Sequence, residues 1–277
     1  MNRLLTLAAL GATAAATPAF AQDARSWTGA YFGVTAGYDI QPGDGDERVN
    51  FDTNLDGSFN DVVRTGAGAN AFSPGFCGGA ARGTTPASGC KKDDDSLRLA
   101  LHAGFDYDLG GFVVGAAVEG GIGFAEDYVT AYSTTPAFYT MTRRVREQAN
   151  GRLRAGYAFG AERNTLVYGT GGVAWGRVTN RFRSSNVANA RQSNGNHDGW
   201  GYTAGGGIEQ RVNPNLTVGI RYLYTELDAD KGVVRLTQGT APATNPFLLT
   251  NPNGTDFTRS HSKFATHNVS LTASYRF

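Results

Sequence analysis

Beyond its N-terminus, this 277-residue sequence has no apolar run long enough for a membrane-spanning helix, which needs roughly 20 residues. It also lacks a charge excess, with 25 Lys and Arg against 24 Asp and Glu. Removing an N-terminal leader would take away Arg3 and no acid, leaving an even balance. Such a balance gives no support for nucleic-acid binding, which needs positive charge gathered on one face. Cysteine is scarce: Cys77 and Cys90 are the only two. In an exported chain a disulfide between them is expected rather than two free thiols, closing a loop worth about 3 kcal/mol in the chain-entropy picture.

What is abundant is glycine, 38 residues, alongside 3 Trp, 12 Tyr and 16 Phe. No three-residue period accompanies the glycine, which excludes collagen, and low-complexity disorder would not carry so many aromatics. The mean hydropathy of −0.31 would by itself suggest a soluble chain. Strands that alternate apolar and polar faces average to such a value as well.

The N-terminus reads as a secretory signal peptide over residues 1–21. Arg3 supplies the basic start, Leu4 to Ala16 are apolar or small, and Ala19-Phe20-Ala21 offers a cleavage site before Gln22. The apolar run is too short for an anchor. Residues 22–277 are then one domain.

Period-2 alternation recurs eight times after it. Leu97, Leu99, Leu101, Ala103, Phe105 and Tyr107 alternate with Arg98, Ala100, His102, Gly104 and Asp106. A helix would mix those leucines with the charges. Similar alternation runs from Trp27 to Tyr38, Phe112 to Phe124, about Arg144 to Phe159, Thr165 to Val178, Trp200 to Val212, Leu216 to Leu227 and Ala265 to Phe277. In Thr165–Val178 two sets compete, and Leu166, Tyr168, Thr170 and Ala174 are expected outward, ahead of Val167, Val173 and Trp175. The connections alternate long and short, the long ones at about 39–95, 126–143, 179–199 and 228–261. Aromatics gather near strand ends: Tyr107, Phe112, Tyr157, Phe159, Tyr275 and Phe277 beside the short turns, and Tyr38, Phe124, Trp200, Tyr202 and Tyr224 toward the long loops. Loop asymmetry and two aromatic girdles point to an all-β fold, an eight-stranded antiparallel up-and-down transmembrane β-barrel with long extracellular loops.

The stretch Trp27-Thr28-Gly29-Ala30-Tyr31-Phe32-Gly33-Val34 resembles the opening of small alphaproteobacterial outer-membrane barrels, the opacity-type, OmpA-like surface antigens. Tyr168-Gly169-Thr170-Gly171-Gly172-Val173-Ala174-Trp175-Gly176 and the closing Val269 to Phe277 carry the same likeness. The resemblance covers the strands, about half of the chain, and leaves the loops outside it. It implies a monomeric outer-membrane barrel with surface-exposed, often immunogenic loops and no shared catalytic residues. Tyr275 and Phe277, flanking Arg276, resemble the terminal assembly signal read by the outer-membrane assembly machinery. Outer-membrane lipid and lipopolysaccharide are the expected surroundings, with termini periplasmic.

The inward face is expected to carry Arg98, His102, Asp106, Glu119, Arg146, Arg152, Arg154, Glu209, Arg211 and Arg221. An eight-stranded barrel is narrow enough to be filled by its own side chains, so these charges would pair into a plug rather than line an ion path. The alternative is a narrow porin-like channel for small solutes. In the first long loop Asp52, Asn54, Asp56 and Ser58 match the opening of a calcium-loop pattern. Its twelfth position is Val63, and Asp61 could supply the missing acid only in a different geometry. Asp/Asn/Gly loops are also ordinary turn formers. Enzymatic readings rest on Ser260-His261-Ser262 and on His267 with Ser270. Strand neighbours point to opposite faces, so a lipid-modifying enzyme is a distant third to a structural, surface-interacting barrel.

Overall fold

The computed structural model describes residues 26–43, 45–160, 162–193 and 195–277; the signal peptide read at 1–21 lies outside them. Eight long strands make the framework: β1 (Gly29–Ile40), β2 (Ser96–Asp108), β3 (Phe112–Ile122), β4 (Ala137–Phe159), β5 (Thr165–Ser184), β6 (His197–Arg211), β7 (Leu216–Asp228) and β8 (Lys263–Arg276). Each pairs antiparallel with its chain neighbour, and β8 returns to β1 with Tyr31 opposite Arg276 and Ile40 opposite His267. The sheet is therefore a closed barrel, and no edge strand is left in its wall.

Alternation sorts the faces. Leu97 and Leu153 on the outside are each 72% exposed, whereas Arg98 and Arg152 beside them are buried inside. Among the described residues no helix is long and apolar enough to cross a membrane, and the apolar outer band belongs to strands. The aromatics of both girdles, including Tyr107, Tyr157 and Phe277 at one end and Tyr38, Trp200 and Tyr202 at the other, stand on that outer face.

Two expectations about faces are corrected. On β5 the inward set is Leu166, Tyr168 and Ala174, and Val167 and Val173 face outward. The neighbouring strands decide this, because Tyr168 lies opposite Gly156 on β4 and Gly207 on β6. A Cβ at either glycine would collide with the tyrosine side chain, so inside is where the ring has room. Arg146, expected in the lumen, is exposed on the outside. Between the pairs Gly176 with Gln148 and Val178 with Val145, two β4 residues, Arg146 and Glu147, stand against the single Arg177 on β5. This β-bulge inverts the facing of β4 above it. Val145 turns inward and joins Ala125, Ala174, Val178, Leu227, Ala229 and Phe264 in a buried apolar layer across the loop end of the barrel.

The long connections are folded. Residues 126–133 form a strand that pairs with the upper part of β4, Glu126 opposite Arg144. Strands Ala190–Ser193, Val233–Thr237, Thr255–Arg259 and Val49–Asp52, from three different connections, form a separate four-stranded sheet in that order. Under it lies an apolar core that includes Phe51, Phe72, Val129, Tyr139, Val234, Phe247 and Phe257. Phe51 stacks on Phe72 at 4.5 Å and meets Phe257 edge-on at 4.8 Å. Each such buried side chain contributes on the order of 1.5–3 kcal/mol, so the cap has a core of its own. Cys77 and Cys90 are bonded to each other, and the Cys90 sulfur lies 3.2 Å from the Tyr132 hydroxyl. Residues 75–77 pair with the 126–133 strand, which places the bridge at the side of the cap.

Candidate functional site

Inside the barrel the charges form one connected lattice. At the short-turn end, Arg154 on β4 binds both Asp106 and Glu209, the latter at 2.7 Å, and Arg276 on β8 reaches Asp106 at 2.7 Å. Trp27, fully buried, floors this layer, with the Arg211 and Arg276 guanidinium groups each 4.7 Å from its ring. In the middle, Glu119 is held by Arg221 at 2.7 Å and Arg152 at 3.5 Å. Toward the loop end, Arg98 donates to Gln148 and approaches Asp39 at 3.8 Å, while Asn268 donates to Asp39 at 2.8 Å. The sequence-read charges other than Arg146 thus meet in the lumen, all of them buried. Asp39 and Arg276 were missed. By alternation alone Asp39 falls in the 39–95 connection, whereas the parity of the final strand sets Arg276 inward.

The remaining space is small. A cavity of about 20 Å³ lies among Tyr31, His102, Arg154, Tyr168, Glu209 and Arg221, room for about one water. One pairing there was not foreseen: Ser274 and His102 are 2.8 Å apart, and the other His102 nitrogen is 3.0 Å from Thr35. That is the spacing of a nucleophile and its base. Both residues are buried, beside the cavity of about 20 Å³. The serine and histidine named from sequence do not meet: Ser270 is buried inside, whereas His267 accompanies Tyr222 on the outer side at 2.7 Å.

A second buried cluster joins cap to barrel. Arg259, at the end of a cap strand, binds Glu47 from the first connection and Asp127 from the second. Arg143 on β4 binds Asp127 at 2.6 Å and also donates to the His261 and Lys263 carbonyls at 3.0 and 2.9 Å. All four ionic side chains are buried, so each opposite charge is needed by the others. Nearby, Asp93 accepts the Tyr128 backbone N–H at 2.8 Å, and burial pushes its carboxyl up to about 7, with Asp127 and Glu47 adding to the rise and Arg259 opposing it.

In the calcium-like stretch the carboxylates accept hydrogen bonds from their own turn. Asp52 accepts backbone N–H groups from Leu55, Asp56 and Gly57 at 2.6, 3.2 and 2.8 Å. Asp61 accepts both the N–H and the hydroxyl of Thr53 at 2.8 Å, and Asp56 accepts the Ser58 N–H at 2.7 Å. These carboxylates, with Asn54 bonded to Asp56, cap turns. Among the described residues no three His, Cys, Asp or Glu gather as a metal-binding group.

Residues 5–277 match the outer membrane protein beta-barrel domain family. This chain belongs to that family. Its outer-membrane barrel is 29% identical over 207 residues to the 31 kDa outer-membrane immunogenic proteins of Brucella melitensis and Brucella suis, across 74% of this chain and 73% of the relatives. The crystal structure of the outer membrane protein OprG from Pseudomonas aeruginosa has a similar fold, with a TM-score of 0.52 at 12% identity over 91% of this chain and 98% of that one.

Two outcomes test these charge assignments. Arg154→Met leaves Asp106 and Glu209 short of a partner, and the variant should lose about 3–5 kcal/mol in urea unfolding of refolded protein followed by tryptophan fluorescence. An unchanged midpoint would remove the lattice from the list of what stabilises the barrel. For Asp93, the folded carboxyl holds its proton to higher pH than an unfolded one. Its contribution is therefore full below about pH 4 and is lost as pH rises through about 7. Asp93→Asn should make the cap more resistant to proteinase K than wild type at pH 8 and little different at pH 5; equal ratios at both values would contradict this.

Proposed function

We propose that this outer-membrane barrel is a closed, non-catalytic and monomeric support for a folded surface cap, with the cap outside the cell and both termini in the periplasm. The observation that carries the reading is the filled lumen: paired charges from wall to wall, a tryptophan floor and an apolar layer beneath the cap. A passive pore needs a continuous wet path, and buried paired ions offer none. Interaction then falls to the cap, in keeping with the Brucella relatives being named immunogenic proteins.

The setting fits the same reading. Short turns at one end and a large elaboration at the other match periplasmic turns and extracellular loops. Arg146, Arg177 and Arg181 are exposed toward the loop end, Arg146 over the Phe124 ring at 6.0 Å and Arg177 3.7 Å from both Glu147 and Asp198, where the phosphates of lipopolysaccharide would meet them. Tyr275 and Phe277 are exposed and 5.2 Å apart at the opposite end, which supports reading them as a signal for the assembly machinery.

Planar-bilayer recording of refolded protein is the test. With insertion confirmed independently, the wild type should give a silent bilayer, and stable unitary steps from wild type would replace this reading with the porin-like one.

A further inference from the structure

We propose that the cap carries a binding site for an uncharged saccharide. The proposal rests on the surface-facing reading above and deepens it. A cavity of about 360 Å³ opens in the cap, within the range of small-ligand sites. All four long connections wall it, contributing Thr65, Thr134 and Thr135, Asn186, and Asn245 with Phe247.

Its chemistry is unlike the rest of the molecule. Among the described residues no Asp, Glu, Lys, Arg or His lines it, although both the lumen and the seam below are densely ionic. A phosphate, carboxylate or ammonium group would lose its hydration there without meeting an opposite charge. A hydroxyl-rich neutral ring has what it needs. The Asn186 amide is fixed by donating to the Tyr139 hydroxyl at 3.1 Å and to Asn189 at 2.9 Å, and Asn245 donates to the same Asn189 oxygen at 3.2 Å. The hydroxyls of Thr65, Thr134 and Thr135 make no hydrogen bond to other described residues, and each can both donate and accept. Prolines 136 and 246 with Phe247 offer apolar surface for the C–H face of a sugar.

The site is also preformed. Tyr139 and Phe247 belong to the aromatic core of the cap and meet edge-on at 5.6 Å, so little ordering remains to be done on binding. A short uncharged peptide is the competing occupant, and free hydroxyls spread around an apolar floor favour the sugar.

The test is saturation-transfer NMR on the refolded full chain in detergent micelles, its fold checked by heat-dependent gel migration. The probes are maltose, lactose and cellobiose, with a sulfated disaccharide, a uronic-acid disaccharide and a Gly-Pro-Ser peptide as comparators. Neutral disaccharides should show transfer, at least fivefold weaker in Thr135→Trp, where an exposed position is used to fill the mouth. Asn186→Ala should weaken it too, and supplies the answer if the tryptophan variant fails to fold. No transfer to folded wild type, equal transfer in a folded variant, or transfer only to the charged sugars or the peptide would overturn the site. Cap-dependent adhesion to cells that persists in Thr135→Trp would sink this site and leave the surface-interaction reading standing, whereas a conducting bilayer would do the reverse.

Discussion

A charge buried in a protein must find its opposite, and this molecule meets that constraint in two places. Eight strands closed into a barrel leave a lumen barely wider than the side chains projecting into it. Asp106, Glu119 and Glu209 cannot be solvated there, so each is surrounded by arginines from other strands. Because Arg154 and Arg276 both serve Asp106 and Glu209, the lattice ties β2, β4, β6 and β8 across the lumen at one level. On the proposed reading, holding the wall together and closing the path through it are consequences of the same contacts.

The seam repeats the arrangement one level higher. Arg143 and Arg259 with Glu47 and Asp127 bring the first, second and last long connections onto the barrel rim. The aromatic core then adds non-directional burial above a directional ionic base, so the cap is both positioned and stabilised. The bulge at Arg146 and Glu147 belongs to this design: it turns an arginine to the outside of the barrel and Val145 in to the buried apolar layer at the loop end.

Alternation made the barrel legible, because a side chain's facing is fixed by parity once a strand's register is known. Leu97 to Tyr107 needed no more than that. Parity failed at Arg146, since one inserted residue inverts it and leaves no mark in composition. It failed on β5 because both faces of that strand are mixed. There the deciding signal lay in partner glycines, Gly156 and Gly207, whose opposition to Tyr168 exists only after pairing. The cap was invisible for a related reason. Its strands are four or five residues long and pair between connections far apart in sequence, such as Asp52 with Asp256. Near Asp52, turn formation and metal binding would draw on the same Asp and Asn oxygens, so the sequence alone did not separate the two uses. The neutral cavity draws on all four connections, and no single segment announces it.

Amide hydrogen exchange on the refolded protein tests the central claim, a folded cap seated on a closed barrel. Val49–Asp52, Val233–Thr237 and Thr255–Arg259 should exchange slowly and as a unit, with Arg259→Met speeding all three while β1 and β8 stay protected. Rapid exchange through these three strands in wild type, beside a protected barrel, would contradict it and leave a barrel bearing unstructured loops.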